Sequence, residues 1–236
     1  MHPARIAELL EPFLGLATAT NLCHSEPVRS SGEEPALLSP LQLHNISTYI
    51  DILIRWNARI NLTAIRNEDE IVTRHFGESF FAARHLFPSR SAPSASSALK
   101  DVDVADLGSG AGFPGIPIKL WAPHISLTLI ESNHKKATFL REVARALTLT
   151  DINIQNARAE ILPPAQFDVV TLRAVEHFAD ALPVAARLLT PGGRLALLIS
   201  SFQLELARAA IPGFTWSKPV LIPASATRVL LVGTYR

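Results

Sequence analysis

Cysteine is almost absent from this 236-residue chain. The single one, Cys23, has no partner for an internal disulfide and no second thiol for a CxxC metal pair, so no metal site is expected. Long apolar runs are missing too. No stretch of about eighteen uncharged apolar residues occurs, which excludes a spanning helix. The opening MHPARIAELLEPFLGL carries Glu8 and Glu11 inside its apolar run and lacks the basic-then-apolar order of a signal peptide. Charge is sparse at 18%, while hydrophobic residues make up 48%, enough for a sizeable core and too much for a disordered chain. A cytoplasmic protein is expected, with no membrane contact and no obligate protein partner.

The formal net charge of +1 favours no class of partner, but its distribution is uneven. Residues 1–118 hold 9 Lys and Arg against 13 Asp and Glu, a balance of −4, whereas 119–236 hold 13 against 8, a balance of +5. The excess is densest at His134, Lys135, Lys136, Arg141 and Arg145. A solvated helix face and a nucleic-acid contact both fit such a run.

Local patterns divide the chain. Residues 3–17 read as a short amphipathic helix, and 18–39, rich in Ser, Pro and Glu, as a flexible linker. Ser39-Pro40 starts a helix whose apolar stripe runs through Ile46, Ile50, Leu53, Asn57 and Ile60. Asn67 with Glu70 starts another, carrying Ile71, Arg74, His75 and Glu78. A Ser/Ala/Pro segment at 89–98 marks the boundary between an N-terminal helical segment (1–98) and a second domain (99–236). Beyond it, strands at 102–108, 127–132, 152–157, 167–174 and 193–200 alternate with helix-length segments, which predicts a mostly parallel α/β sheet covered on both faces. The last run, 227–236, has no following helix and is expected to join antiparallel.

Between the first strand and its helix stands Asp106-Leu-Gly108-Ser-Gly110-Ala-Gly112-Phe-Pro-Gly115. Glycine permits positive φ and lets a ligand approach the backbone closely, and this many glycines exceed the need of a plain turn. The spacing is GxGxG rather than the dinucleotide GxGxxG. A carboxylate at Asp106 repels a pyrophosphate but suits a ligand bearing an ammonium and a sulfonium, such as S-adenosylmethionine. Glu131, ending the second strand, is placed to accept hydrogen bonds from ribose hydroxyls.

These residues, with Trp56-Asn57, Asn61-Leu62-Thr63, Arg74-His75, Glu78-Ser79, LIES at 129–132, Lys135-Lys136, Phe139-Leu140, Arg158-Ala159-Glu160, Phe167-Asp168, Leu172-Arg173-Ala174 and Pro191-Gly192-Gly193, make the chain resemble a bacterial family over roughly 40–200. That family is glucose-inhibited division protein B, the 16S ribosomal RNA guanine-N7 methyltransferases (small subunit methyltransferase G). The resemblance implies a Rossmann-like class I methyltransferase sheet with an N-terminal helical extension and S-adenosyl-L-methionine as cofactor. It implies cofactor contacts at Gly108, Phe113, Ala159, Glu160 and Arg173, which complete the expected cofactor site begun by Asp106, Ser109, Gly110, Gly112 and Glu131. Small-subunit ribosomal RNA, free or in the ribosomal particle, is the implied partner; Arg74 and His75 of the helical segment and the basic run Lys135, Lys136, Arg141 and Arg145 are the residues expected to meet it.

N7 has a lone pair and no proton, so no catalytic acid or base is assigned; His75 is the one suspect. The chain departs from the family at Ile199-Ser200-Ser201, where relatives carry a lysine then glycine. If that lysine helps place RNA, this chain binds more weakly or uses another cation. The alternatives are a same-fold methyltransferase acting on a small molecule or protein, and a non-enzymatic RNA-binding relative.

Overall fold

The computed structural model describes residues 1–15, 38–88 and 102–236. Cys23, most of the expected linker and the expected boundary at 98 lie outside these residues.

Helix α1 (Pro3–Leu14) is shorter than its apolar pattern suggests, because Gly15 takes a left-handed conformation at its C-cap. Helix α2 (Pro40–Asn57) begins with a full capping box. The Gln42 amide donates to Ser39 Oγ, and the Gln42 side chain accepts from the Ser39 amide. Asn67 caps the next helix through the Glu70 amide. That helix is not regular. A short α-turn, α3 (Glu68–Glu70), leads into a π-helix over Ile71–Gly77 and then α4 (Glu78–Leu86). Periodicity predicts ordinary α-helix there. The π turns bury Ile71, Val72 and Phe76, and from the same segment Arg74 and His75 line the crevice described below.

The strands are β1 (Asp103–Leu107), β2 (Ser126–Ile130), β3 (Ile152–Gln155), β4 (Phe167–Arg173), β5 (Leu189–Ser200), β6 (Phe214–Trp216), β7 (Val220–Leu221) and β8 (Arg228–Tyr235). They form one sheet in the order β3-β2-β1-β4-β5-β8-β6, with β7 also on β8. All neighbours from β3 to β5 are parallel, and β8 is antiparallel to β5, as expected from the absence of a crossover helix. The short β6 and β7 escape pattern reading because neither is long enough to show alternation.

Alternation along the strands builds two cores. Val104, Leu129, Val169, Leu198 and Leu230 face one side with α1, α2, α4, α5 (Gly115–Trp121) and α6 (His134–Ala146). Their neighbours Ala105, Ile130, Val170, Leu197 and Leu231 face the other with α7 (Phe178–Leu188) and α8 (Leu204–Ala210). The N-terminal helices therefore share one continuous core with the sheet. Among the described residues no helix is long and apolar enough to cross a membrane.

Helix α1 docks where Gly77 leaves room. A Cβ on Gly77 would stand 2.6 Å from the Phe13 ring. Gly77→Ala should therefore lower the urea midpoint by the equivalent of about 1–3 kcal/mol, despite alanine's better helix propensity. Adding Phe13→Leu should recover part of the loss. An unchanged midpoint in the single variant would mean that α1 shifts at no cost.

Candidate cofactor and substrate crevice

The parallel strands reverse direction of progression at β1, which has β2 on one side and β4 on the other. Loops leaving the carboxyl ends of neighbouring strands diverge at such a point and open a crevice. A cavity of about 700 Å³ lies there, in the size range of small-molecule sites. Its floor is Gly108, Ser109, Gly110 and Phe113 after β1, with Glu131 after β2 and Arg173 at the end of β4. A second cavity of about 360 Å³ shares Gly108 and Ser132 with the first and is lined by Ala159 and Glu160 after β3.

Glu131 is the hinge of this floor. Its carboxylate accepts from the Gly110 amide at 2.9 Å and the Asn133 amide at 2.7 Å, tying the glycine loop to the start of α6. Gly110 reaches this position at φ +54°, which a β-branched residue would enter only with strain. A carboxylate has about four acceptor positions, so two remain for hydroxyl donors. That capacity, on a concave floor with exposed glycine backbone, fits the adenosine part of S-adenosylmethionine.

Two expected cofactor residues do not face the crevice. Asp106 is 1% exposed, and its carboxylate accepts from the Thr171 hydroxyl at 2.8 Å and the Gly115 amide at 3.2 Å. The first turn of α5 needs an acceptor for its free amides, and Asp106 supplies it from below. Position in the sequence aims this carboxylate at a ligand cation; in the structure it closes the loop instead. Gly112 likewise turns away, at φ +84°, where a Cβ would collide with the Tyr49 hydroxyl and Ile116. Its bareness lets the Tyr49 hydroxyl donate to the Ala111 carbonyl.

The wall opposite the glycine loop comes from the N-terminal helices. Phe113 stacks on both Tyr49 and His75, with ring centroids 5.2 and 4.7 Å apart. His75 Nδ1 meets Arg173 Nη1 at 3.0 Å, and its Nε2 meets Thr63 Oγ1 at 2.8 Å. Burial first, then the charges of Arg173, Arg74 and Arg228, push the His75 pKa down to about 3. A neutral ring with both nitrogens engaged has no free site for a substrate proton. Beside it Glu78, 3% exposed, pairs with Arg228 at 2.8 Å, Arg173 at 3.1 Å and Arg74 at 3.5 Å.

Of the residues expected to meet RNA, Arg74, His75 and Lys136 line the crevice. Lys135, Arg141 and Arg145 lie on the exposed face of α6, and none makes an ion pair among the described residues. Sequence reasoning missed the roles of Thr63, Glu78 and Arg228. Glu78 stands four residues after Arg74, a helical pairing distance that could have flagged it. Arg228 had no local signal. It lies directly opposite Ser200 across the β5–β8 ladder.

Burial raises the Asp106 pKa to about 7, from an ordinary value of 3.8. The folded state thus holds a proton that the unfolded chain has released, so this group's contribution to stability is lost as pH rises from about 4 to about 7. His75, depressed from 6.5, acts oppositely: its contribution is lost as pH falls from about 6.5 towards 3. Asp106→Asn retains an acceptor for Gly115 without the titration. The variant's stability relative to the parent should increase between pH 4.5 and pH 8, read as urea midpoints. A constant difference would show that Asp106 titrates normally.

The comparisons agree with this geometry. The family model described as GidB, rRNA small subunit methyltransferase G, matches residues 42–211. The chain is 39% identical over 178 residues to "Ribosomal RNA small subunit methyltransferase G" of Xanthomonas axonopodis pv. citri, covering 74% of this chain and 78% of that protein. It is 38% identical over 209 residues to the protein of the same name from Roseiflexus castenholzii, covering 83% and 84%. Among solved structures, the ribosomal protein L11 methylase of Lactobacillus delbrueckii subsp. bulgaricus shares the fold, with TM-score 0.54 at 17% identity over 69% of this chain and 79% of that one. A Rossmann-like sheet with its crevice at the β1 switch point, matched over most of its length by one family, makes this chain a member of the rRNA small subunit methyltransferase G family.

Proposed function

We propose that the protein transfers a methyl group from S-adenosylmethionine to N7 of a guanine in small-subunit ribosomal RNA. The observation that carries the reading is the two-walled crevice: an acceptor-and-glycine floor on one side, and on the other Thr63, Arg74 and His75 of the N-terminal segment with the guanidiniums of Arg173 and Arg228 beside them. When bound, S-adenosylmethionine supplies an electrophilic methyl group on a sulfonium. Glu131 would receive the ribose hydroxyls, Gly108 and Gly110 would leave the backbone open to close approach, and Ala159–Glu160 would border the adenine end. Phe113 and Arg173 shape the end nearest the N-terminal wall.

The chain's own part is alignment. Guanine N7 brings its own lone pair, so no residue need remove a proton first, in keeping with the closed hydrogen bonding of His75. The segment 1–98 serves as one RNA-facing wall, and 99–236 as the cofactor unit that also carries the RNA path along α6. Arg74 and Lys136 at the crevice mouth, with Lys135, Arg141 and Arg145 along α6, form a path for RNA phosphates.

A deletion strain should lose one guanine N7 methyl group from small-subunit RNA, detected by mass-mapping, and regain it on complementation. Complementation with Gly110→Val should fail, and the purified variant should bind S-adenosylmethionine at least about tenfold more weakly by calorimetry. Normal affinity in this variant would move the cofactor elsewhere.

The RNA path makes a separate claim. Replacing Arg141 and Arg145 by alanine should reduce the salt slope of RNA binding by about 0.7–0.9 for each phosphate no longer neutralised, with cofactor affinity unchanged. An unchanged slope would shift the RNA surface to Arg55, Arg59, Arg66 and Arg74.

A further inference from the structure

A displacement at N7 cannot by itself tell guanine from adenine, since both purines carry N7. They differ at the neighbouring position, where guanine presents the O6 acceptor and adenine an N6 amino donor. A crevice that selects guanine needs a hydrogen-bond donor whose polarity cannot reverse. A hydroxyl is ordinarily ambivalent, because it can donate or accept.

The hydrogen bonds around Thr63 remove that ambivalence. The Arg173 guanidinium has only donors, so His75 Nδ1, 3.0 Å from Nη1, must present its lone pair. The ring proton of the neutral imidazole therefore sits on Nε2, which donates to Thr63 Oγ1 at 2.8 Å. The Ile65 amide donates to the same oxygen at 3.1 Å. Both lone pairs of Thr63 Oγ1 are then filled. Its proton remains, and no acceptor for it lies within reach among the described residues. Thr63 lines the crevice together with Gly110, Phe113 and Arg173.

We propose that the Thr63 hydroxyl, held as an obligate donor by the Arg173–His75 relay, hydrogen-bonds O6 of the guanine presented for methylation and so determines the choice of purine. The inference rests on the reading of the reaction as transfer to guanine N7. Adenine in the same place would set its amino group against the hydroxyl proton, donor facing donor, with no rotation that relieves it. Thr63 is a specificity residue here, and His75 a positioning residue that acts through it.

The test is a cycle between protein and substrate. Parent, Thr63→Val and Thr63→Ser proteins are assayed on small-subunit RNA carrying either guanine or 2-aminopurine at the methylated position. 2-Aminopurine keeps N7 and lacks O6. For the parent, removing O6 should lower kcat/KM by about 10- to 100-fold beyond the intrinsic change in the base, as expected for one missing hydrogen bond. Thr63→Val should lose a similar factor on guanine RNA and little more on 2-aminopurine RNA, and Thr63→Ser should restore the coupling. Thr63→Ala repeats the cycle if valine lowers the melting temperature.

Additive losses in the cycle would overturn the proposal, as would full activity of Thr63→Val on guanine RNA. Additive losses accompanied by weaker cofactor binding would assign the hydroxyl to the cofactor and overturn it too. Failure of the parent to methylate any guanine N7 in small-subunit RNA would instead overturn the functional reading beneath it.

Discussion

One buried carboxylate gathers the crevice mouth from three distant parts of the chain. Glu78 sits at the start of α4, and its guanidinium partners come from the π-helix (Arg74), the end of β4 (Arg173) and the start of β8 (Arg228). An unpaired carboxylate at that depth would be costly, and so would three clustered guanidiniums without it. The arrangement is stable only as a set. It fastens the N-terminal helices to the edge of the sheet where the strands end. It also leaves an excess of positive charge facing the crevice, which draws a polyanion.

Behind this cluster the site and the core are the same structure. Phe113 belongs both to the glycine loop and to the aromatic stack with Tyr49 and His75. Tyr49, fully buried on α2, holds the loop through the Ala111 carbonyl, and the bare Gly112 gives it access. The loop's conformation is thus fixed from behind by helices that precede it in the chain, and from below by Asp106. A rigid loop of this kind aligns a ligand without paying for its own ordering when the ligand arrives.

Much of this was legible in the residues. Alternating apolar strands, the Ser39-Pro40 start and the GxGxG spacing each have a local physical cause, and the corresponding elements stand where they are expected. The floor residues Gly108, Gly110, Phe113 and Glu131 converge because strand ends converge at a switch point, a consequence of sheet order rather than of any one residue. What local reading could not reach was direction. Asp106 has the right position for a ligand contact, yet the unmet amide of Gly115 claims its carboxylate. The π-helix resembles any amphipathic helix over so few residues. Arg228 enters through an antiparallel pairing with residues almost thirty positions earlier, and no periodicity announces that.

That pairing also decides how charge is carried at one corner of the site. Ser200 on β5 and Arg228 on β8 face each other across the ladder, so the two backbones meet at the rim of a small cavity of about 100 Å³ that shares Arg173 and Arg228 with the crevice. Taken alone, Ser200 leaves that spot without a charge. In space, the facing strand holds a guanidinium at the same rim, already anchored by Glu78. Two strands that share an edge share its charge, so the charge presented at this rim belongs to the facing pair rather than to either residue alone.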